Sequence, residues 1–377
     1  MQHLGLNGDV SAGGHRFHVQ TTYSASKEMI VSHVFEQGRI IDRCELSCAS
    51  ATPPELIAQK LQAFHLDTTA EMKLLFQISE KVRRAKHPPS CLRLGAVFLE
   101  KNLPDEALAV LQLALELAPH LPEVPQGLGR VFLRQKEFAA AEEMFRRGLQ
   151  LAPEYADLHH DLGAALLEQN RLLAALPEFE TALRINPKFP LAHASLALTL
   201  LLTLQGSQPL QDHLPPPPAR LKRAQDLLHG LRQLLPASKH HAHVIAASAA
   251  LARKDYTEAI AELQSLGAQM LAAPELIFES DFYLKFMFGG KSRDDQFIQR
   301  YAERLRAAIS DYPAYADWHN HLGVAHLIQS RNLFLRAIEE FREAVKINPD
   351  YKRAGKNLKL SENDSKSFVY LLRAMLK

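Results

Sequence analysis

Three consecutive segments of the chain, from Pro88 to Phe189, carry one pattern of residues that repeats every 34 positions. Each copy places large apolar side chains, small residues and a final proline at fixed offsets. The members are Leu94, Gly95, Phe98, Ala107, Leu111, Ala114 and Pro119, then Leu128, Gly129, Phe132, Ala141, Phe145, Gly148 and Pro153, then Leu162, Gly163, Leu166, Ala175, Phe179, Ala182 and Pro187. A gapless period of this length is typical of stacked supersecondary units, so we expect a chain built by addition.

The residue types in the pattern indicate two antiparallel helices per repeat. Glycine and alanine recur where the helices would approach closely, and large apolar side chains would fill the space between neighbouring pairs. The proline ends the second helix because it lacks the N–H group that a helix interior needs. A single pair cannot bury its own apolar face, so stability is expected to come from stacking.

This pattern resembles the tetratricopeptide repeat, whose Leu-Gly, Ala, Phe and Pro positions it matches almost throughout. The resemblance implies a mostly α fold, a right-handed α-solenoid of helix-turn-helix repeats. Later repeats are less regular, but Leu322 and Gly323 restate Leu162 and Gly163. The predicted boundaries are 88–204 for repeats one to three and helix A of the fourth, 205–218 for an inserted proline-rich loop, 219–273 for helix B of the fourth and the fifth repeat, 274–313 for a degenerate sixth, 314–351 for the seventh and 352–377 for capping helices.

The segment before the repeats has a different period. Residues 1–13 are interpreted as a flexible tail, and apolar alternation over 14–50 predicts a three-stranded antiparallel β-meander with strands near 15–23, 28–36 and 39–46. Residues 51–87 predict a helical connector of two helices, with Thr69 capping the second. Two interpretations of this domain stay open: a cap or dimerising element, through which homo-oligomerisation is possible, and a recognition module for a ligand or a second partner.

Composition excludes several classes of protein. The 377 residues carry a formal net charge of only +2, which gives no reason to expect nucleic acid as a partner. The longest apolar run, Leu196 to Leu204, is too short to span a bilayer, so no membrane insertion is expected. Three cysteines without a paired framework fit a reducing compartment, and the N-terminus does not resemble a signal peptide. The cytoplasm is the expected location.

Chemistry-bearing motifs are weak. No nucleophile elbow, zinc-protease or complete phosphate-loop motif is found, so we predict a protein without enzymatic activity, cofactor, metal or catalytic residues. His240 and His243 could share a helix face as metal ligands, but a solvated helix start is favoured. Gly289 to Ser292 are interpreted as an inter-helix turn. Pro215 to Pro218 predict a polyproline rod within a surface loop, with an aromatic groove as the alternative binding partner.

The resemblance implies that the first helix of each repeat, helix A, lines a concave groove that receives a partner peptide or helix. The inward positions carried over are Leu92, Ala96, Leu99, Gln126, Arg130, Leu133, His160, Ala164, Leu167, Asn320, Val324 and Leu327. Leu92 and Ala96 occupy the first two positions of the set with which chaperone-binding members grip a C-terminal carboxylate. The function expected is therefore a non-catalytic interaction scaffold or adaptor for an apolar segment of unknown identity. The alternative is a regulatory or accessory subunit that uses the N-terminal domain.

Leucine recurs at one groove position in all three regular repeats, namely Leu99, Leu133 and Leu167. Each lies five residues after the leucine of the repeat pattern, about 140° further round the helix. One interpretation is an apolar strip for the partner, since a groove without use would more often be polar. The other is that these leucines pack under the N-terminal domain or the inserted loop.

Overall fold

The computed structural model describes residues 5–49, 52–205, 214–235, 240–271, 275–311, 316–347, 352–353 and 355–362. An antiparallel sheet comes first in the chain and is followed by helices. After Pro88 the described residues form helices and turns and include no strand, as the repeat pattern predicts. Among the described helices, none is both long enough and apolar enough to cross a bilayer.

The sheet has four strands in the order β1-β2-β3-β4: Gly5–Ala12 (β1), His15–Ser24 (β2), Met29–Glu36 (β3) and Arg39–Ser47 (β4). The three predicted strands are confirmed, but the interpretation of residues 1–13 as a flexible tail was wrong over β1. Gly13 and Gly14, with φ of 58° and 84°, close a tight turn that pairs β1 with β2 along its whole length. Small residues at alternate β1 positions weakened the apolar alternation that would have predicted this strand.

One face of the sheet packs against a single helix, Pro54–Ala85 (α1). Two helices with a cap at Thr69 were predicted here, and this was wrong. The Thr69 hydroxyl donates to the carbonyl of His65 at 2.9 Å, four residues back, as Thr68 does to Phe64 at 2.8 Å. A threonine that bonds backwards in this way stays inside a helix instead of starting one. Phe17 of β2 and Phe76 of α1 lie in the core between sheet and helix.

The helices that follow are Pro88–Glu100 (α2), Pro104–Leu117 (α3), Glu123–Arg134 (α4), Phe138–Leu151 (α5), Ala156–Glu168 (α6), Leu172–Ile185 (α7), Pro190–Gln205 (α8), Pro217–Leu234 (α9), His241–Ala252 (α10), Tyr256–Leu271 (α11), Glu275–Met287 (α12), Asp295–Asp311 (α13) and Ala316–Ile347 (α14). Pairs from α2–α3 to α10–α11 form hairpins. Pro217 and Pro218 begin α9, where proline is tolerated, so the predicted rod over 215–218 was wrong at its end. The rest of the inserted loop, residues 206–213, lies outside the described residues.

The tight turn inside each regular hairpin depends on one residue in the left-handed region. These residues are Asn102, Lys136, Asn170 and Lys254, with φ between 52° and 63°. The backbone N–H of the residue that follows it donates to the carbonyl oxygen five residues earlier, as that of Arg171 does to Leu166 at 2.9 Å. This bond satisfies a carbonyl that the end of helix A leaves unpaired.

Stacking follows one order through α9 and then changes. Helix B of each of the first three hairpins packs against helix A of the next, as α7 does against α8. In the fifth hairpin α10 still packs against α9, but α11 also packs against α8, a helix B to helix A contact that the preceding described hairpins do not make to a similar extent. The regular solenoid therefore spans α2 to α9.

The seventh repeat is a single helix. A helix-turn-helix unit was predicted for 314–351, but α14 runs without a break from Ala316 to Ile347, so this prediction was wrong. Its main contacts are with α13. Of the predicted C-terminal caps, residues 355–362 are helical, and the final helix from Ser365 lies outside the described residues.

Candidate functional site

The predicted groove residues fall into three separate places. Leu92 and Leu99 are partly buried against the core that joins α1, α2 and the sheet. Val324 and Leu327 pack against a different core, formed by α12, α13 and α14, and Asn320 on the same helix is exposed. Ala96, on α2 with Leu92 and Leu99, is exposed. The other predicted residues lie on α4 and α6, and the structure brings their polar members together. The candidate site is this surface of α4, α6 and α8.

A hydrogen-bonded network centred on Asp161 connects these three helices. Its carboxylate accepts from Gln126 Nε2 at 2.9 Å and from Arg130 Nε at 2.8 Å. On the other side, His160 Nε2 lies 3.1 Å from Ser195 Oγ of α8. Three of these residues were predicted to line the groove. Asp161 and Ser195 were missed.

A signal for Asp161 was present in the repeat register. Its equivalents one and two repeats earlier are Gly127 and Arg93, so an acid at this position departs from the pattern. An acidic residue next to two predicted polar positions can accept the hydrogen bonds that connect neighbouring A helices. Ser195 carries no comparable signal, because serine is common on helix surfaces.

The electrostatics favour an ionised pair. Burial would raise the pKa of Asp161, but the charge of Arg130 and a hydrogen bond from His160 outweigh burial and lower it. Burial likewise opposes the charged form of Arg130, and the charge of Asp161 reverses this, so the pKa of Arg130 is raised. The Arg130 side chain is still 50% exposed, so the pair holds a guanidinium group at the surface.

Gln126 and His160 have a different position from Arg130. Both are buried, and the His160 ring packs 5.5 Å from Phe179 and 5.3 Å from Phe189, measured between ring centroids. Gln126 and His160 therefore form the buried part of the network and help to hold Asp161 in place. Leu133, Ala164 and Leu167 beside them are partly buried, the two leucines against the core of α5 to α11.

Asp157 lies at the start of α6, near the pair. Burial raises its pKa, and the charge of Arg130 only partly opposes this. Among the described residues, no side chain forms a hydrogen bond or an ion pair with the Asp157 carboxylate. The site therefore combines one oriented cation, one desolvated acid and partly buried leucines, which is an arrangement suited to binding.

Histidines at the starts of A helices have a structural role that sequence reasoning missed. His159 Nε2 and His193 Nε2 each lie 2.9 Å from the carbonyl oxygen six residues back, that of Pro153 and of Pro187. Each imidazole thus bridges the turn between two repeats. The position recurs 34 residues apart, which is the signal that would have predicted it.

The other two candidate motifs are accounted for locally. His243 Nδ1 lies 2.7 Å from Glu262 Oε2, and its Nε2 lies 2.8 Å from Gln269 Nε2, so protein partners engage both ring nitrogens. Gly290 adopts a φ of 73° in the turn between α12 and α13, and Lys291 Nζ donates to Asp294 at 3.0 Å. The prediction of an inter-helix turn at 289–292 is confirmed.

Comparison with known proteins agrees with the hairpin architecture. A family model described as tetratricopeptide repeat matches residues 98–159 and 132–199, and a second model of the same description matches 302–352. Comparison with curated proteins gave no match.

Several solved structures are similar in part. YrrB, a TPR protein with an unusual peptide-binding site, is 18% identical, with a TM-score of 0.36 over 54% of this chain and 97% of that one. TTC0263, a thermophilic TPR protein in Thermus thermophilus, is 20% identical, with a TM-score of 0.37 over 52% of this chain and 97% of that one. The second TPR domain of human RPAP3, in complex with an HSP70 peptide, is 18% identical, with a TM-score of 0.29 over 31% of this chain and 97% of that one.

The family follows from two independent observations. The described hairpins repeat with the spacing and the close glycine positions of the sequence pattern, as at Gly129 and Gly163. The family models match within the same hairpins and again over α13 and α14. The chain contains tetratricopeptide repeats.

Proposed function

We propose that this protein is a non-catalytic interaction scaffold that binds a partner peptide or helix along α4, α6 and α8. The observation that carries the proposal is the Arg130–Asp161 pair, which fixes a half-exposed guanidinium group beside Leu133 and Leu167. A guanidinium group whose Nε is already held keeps its terminal N–H groups for a partner, and the leucines supply apolar contact. Specificity would come from the polar pair and affinity from the apolar area.

The test is a double substitution of Leu133→Ser and Leu167→Ser, with capture of partners from the native cell compared by quantitative mass spectrometry. Loss of proteins that the wild type retains is expected, with helicity and melting temperature nearly unchanged. Arg130→Ala should weaken the same set of proteins.

A matched control is available on the B helices. Leu149 of α5 and Leu183 of α7 are partly buried against the same core, so Leu149→Ser with Leu183→Ser removes similar packing away from the site. This control should retain the partners. Partner retention by the Leu133/Leu167 variant would contradict the proposal, and a collapse of its stability alone would assign these leucines to the core.

A second candidate function rests on the outer face of the sheet. His18 and His33 flank Phe35 there, with ring centroids 6.4 Å and 6.0 Å from it, and Ile40 nearby is 51% exposed. We propose this face as the place where the N-terminal domain would recognise a small ligand or a second partner. A metabolite screen by thermal shift tests it, since a ligand of the folded state raises the melting temperature. Phe35→Ser should abolish any such shift.

A further inference from the structure

Helix α12 has two opposite apolar faces that belong to different cores. Phe278, Phe282 and Phe286 are buried together with residues of α13 and α14. Tyr283 and Leu284 are buried instead in the core of the sheet, α1 and α2. The helix thus connects the C-terminal unit, defined as residues 275–347, to the N-terminal end of the solenoid.

Contacts with α2 centre on Tyr283. Its hydroxyl lies 3.3 Å from Ser90 Oγ, and the guanidinium carbon of Arg93 lies 4.3 Å from the centre of its ring. Arg93 Nη2 also lies 3.6 Å from Glu279 Oε1, one helical turn before the tyrosine. A cation over an aromatic ring with an acid beside it gives a directional contact that few helix surfaces can match.

Contacts with α1 are ionic and polar. Lys285 pairs with Glu71 and also lies 2.9 Å from Asp281 on its own helix. Lys81 Nζ donates to the carbonyl oxygen of Phe288 at 2.7 Å, where α12 ends. The α1–α2 face, defined as Glu71, Lys81, Ser90 and Arg93, therefore meets opposite charges of α12 at Glu71 and Arg93 and hydrogen-bonding groups at Lys81 and Ser90.

The C-terminal unit is joined to the solenoid at this face and not at the repeat before it. Helix α11 packs against α10 and α8, and within the described residues it makes at most marginal contact with α12. The unit has a core of its own, formed by α12, α13 and α14, although α12 contacts α2 more extensively than it contacts α13. On α12, Tyr283 and Leu284 are buried in the core of the sheet, α1 and α2, and Ile277 is partly buried against it, as is Phe288 just after the helix.

We propose that the α1–α2 face is a helix-docking site, closed in this structure by α12, that takes in exchange an amphipathic partner helix with an acid four positions before a Tyr-Leu pair. The partner's acid would pair with Arg93, its tyrosine would take the place of Tyr283, and a lysine after the leucine would meet Glu71. This site is separate from the surface of α4, α6 and α8. Because α12 is tethered, it competes at an effective concentration that reaches millimolar for short linkers.

The experiment uses the full chain and a fluorescein-labelled peptide of residues 275–288 carrying Phe278→Ala, Phe282→Ala and Phe286→Ala. These changes remove the face that belongs to the C-terminal core and keep Glu279, Tyr283, Leu284 and Lys285. Binding is followed by fluorescence anisotropy against the wild type and against Tyr283→Ala with Leu284→Ala, which weakens the chain's own α12. The peptide is expected to bind this double variant at least tenfold more tightly than the wild type.

Charge reversal supplies the matched control. A peptide that also carries Glu279→Lys should bind the double variant at least tenfold more weakly, and adding Arg93→Glu to the chain should restore its binding. Equal affinity for wild type and double variant, or no preference between the two peptides, overturns the proposal.

If the double variant loses its helical circular dichroism signal, a second variant that weakens the docking of α12 takes its place. Glu279→Lys in the chain changes one partly exposed charge and leaves Tyr283 and Leu284 in place. The peptide that retains Glu279 should again bind this variant at least tenfold more tightly than the wild type. Equal binding there overturns the proposal as well.

Discussion

The α6–α7 hairpin and α14 start from nearly the same residues and fold differently. Both segments carry Ala-Asp, a leucine-glycine pair at Leu162 or Leu322, and a final Ile-Asn-Pro. In the first, the chain turns back on itself after Glu168, and in the second it continues as one helix to Ile347. The residues that the two segments share are therefore not the ones that make the turn.

The difference lies in the residues between the two halves. Asn170 takes a φ of 56° and reverses the chain, whereas its counterpart Ser330 stays helical. The α14 segment also has two more residues before the alanine of the repeat pattern, Ala337, than the hairpin has before Ala175. Ala325, Ile328, Asn332 and Ile338 are buried and Leu335 is partly buried, and these five positions are three or four residues apart. This spacing keeps both halves on one helix face, so the continuous helix buries them together.

A buried amide supports the continuous form. Asn332 Nδ2 donates to Asp295 Oδ1 at 3.0 Å, so the start of α13 satisfies this buried polar side chain where α14 passes it. The comparison teaches that turn length and helical phase decide whether a repeat pattern becomes a hairpin. The pattern residues themselves do not determine which of the two forms the chain adopts.

The largest expected effect comes from breaking α14 where the hairpin would turn. Ser330→Pro should destabilise the helix by about 3 kcal/mol, because proline removes a backbone donor and clashes in a helix interior. Amide hydrogen exchange should rise on both sides of residue 330. Asn170→Gly is the control, since glycine accepts the left-handed conformation, and its exchange should stay close to that of the wild type. Unchanged protection in Ser330→Pro would mean that the chain turns at this position.

The second prediction uses the shared glycine. A Cβ at Gly163 would lie 2.7 Å from Phe179 Cε1, while one at Gly323 would meet nothing within 4 Å. Gly163→Leu should therefore cost about 1–3 kcal/mol through overpacking. Gly323→Leu should be neutral or stabilise by up to about 1 kcal/mol, because leucine favours a helix more than glycine does. Urea denaturation measures both, and equal effects would contradict the comparison.

The smallest effect concerns Asp161, whose counterpart in α14 is His321. The folded pKa of Asp161 is lowered, so its contribution is complete above the unfolded value, about 3.9, and is lost as pH falls through the folded value. Asp161→Asn should destabilise by about 1–2 kcal/mol at pH 7, and the difference from the wild type should vanish in acid. A difference that stays constant from neutral pH into acid would exclude the ionised pair as the cause.

Local pattern was enough to predict the first five hairpins and three strands. Period, glycine and proline positions are determined within one repeat, and three of the four strands have clear apolar alternation. The strand over Gly5–Ala12 was missed because Gly8 and Ala12 stand at inward positions. The continuous α14 was missed because the pattern match outweighed two extra residues in the turn.

The candidate site could be predicted only in part, for a related reason. Gln126, Arg130 and His160 sit at register positions that a repeat alignment supplies. The link through Asp161 to Ser195 depends on how neighbouring A helices cross, which no single repeat encodes. The contact of α12 with α2 has no local signal, since Ser90 and Tyr283 are 193 positions apart.

That separation has a consequence during synthesis of the chain. Repeats whose contacts are local fold as they emerge from the ribosome, whereas the α1–α2 face stays uncovered until α12 has been synthesised. At about 5–20 residues per second, the 193 positions between Ser90 and Tyr283 take roughly 10–40 s to translate. Every nascent chain therefore presents Ser90 and Arg93 uncovered on the ribosome for that interval. A helix of suitable sequence can reach this face before the chain's own α12 exists.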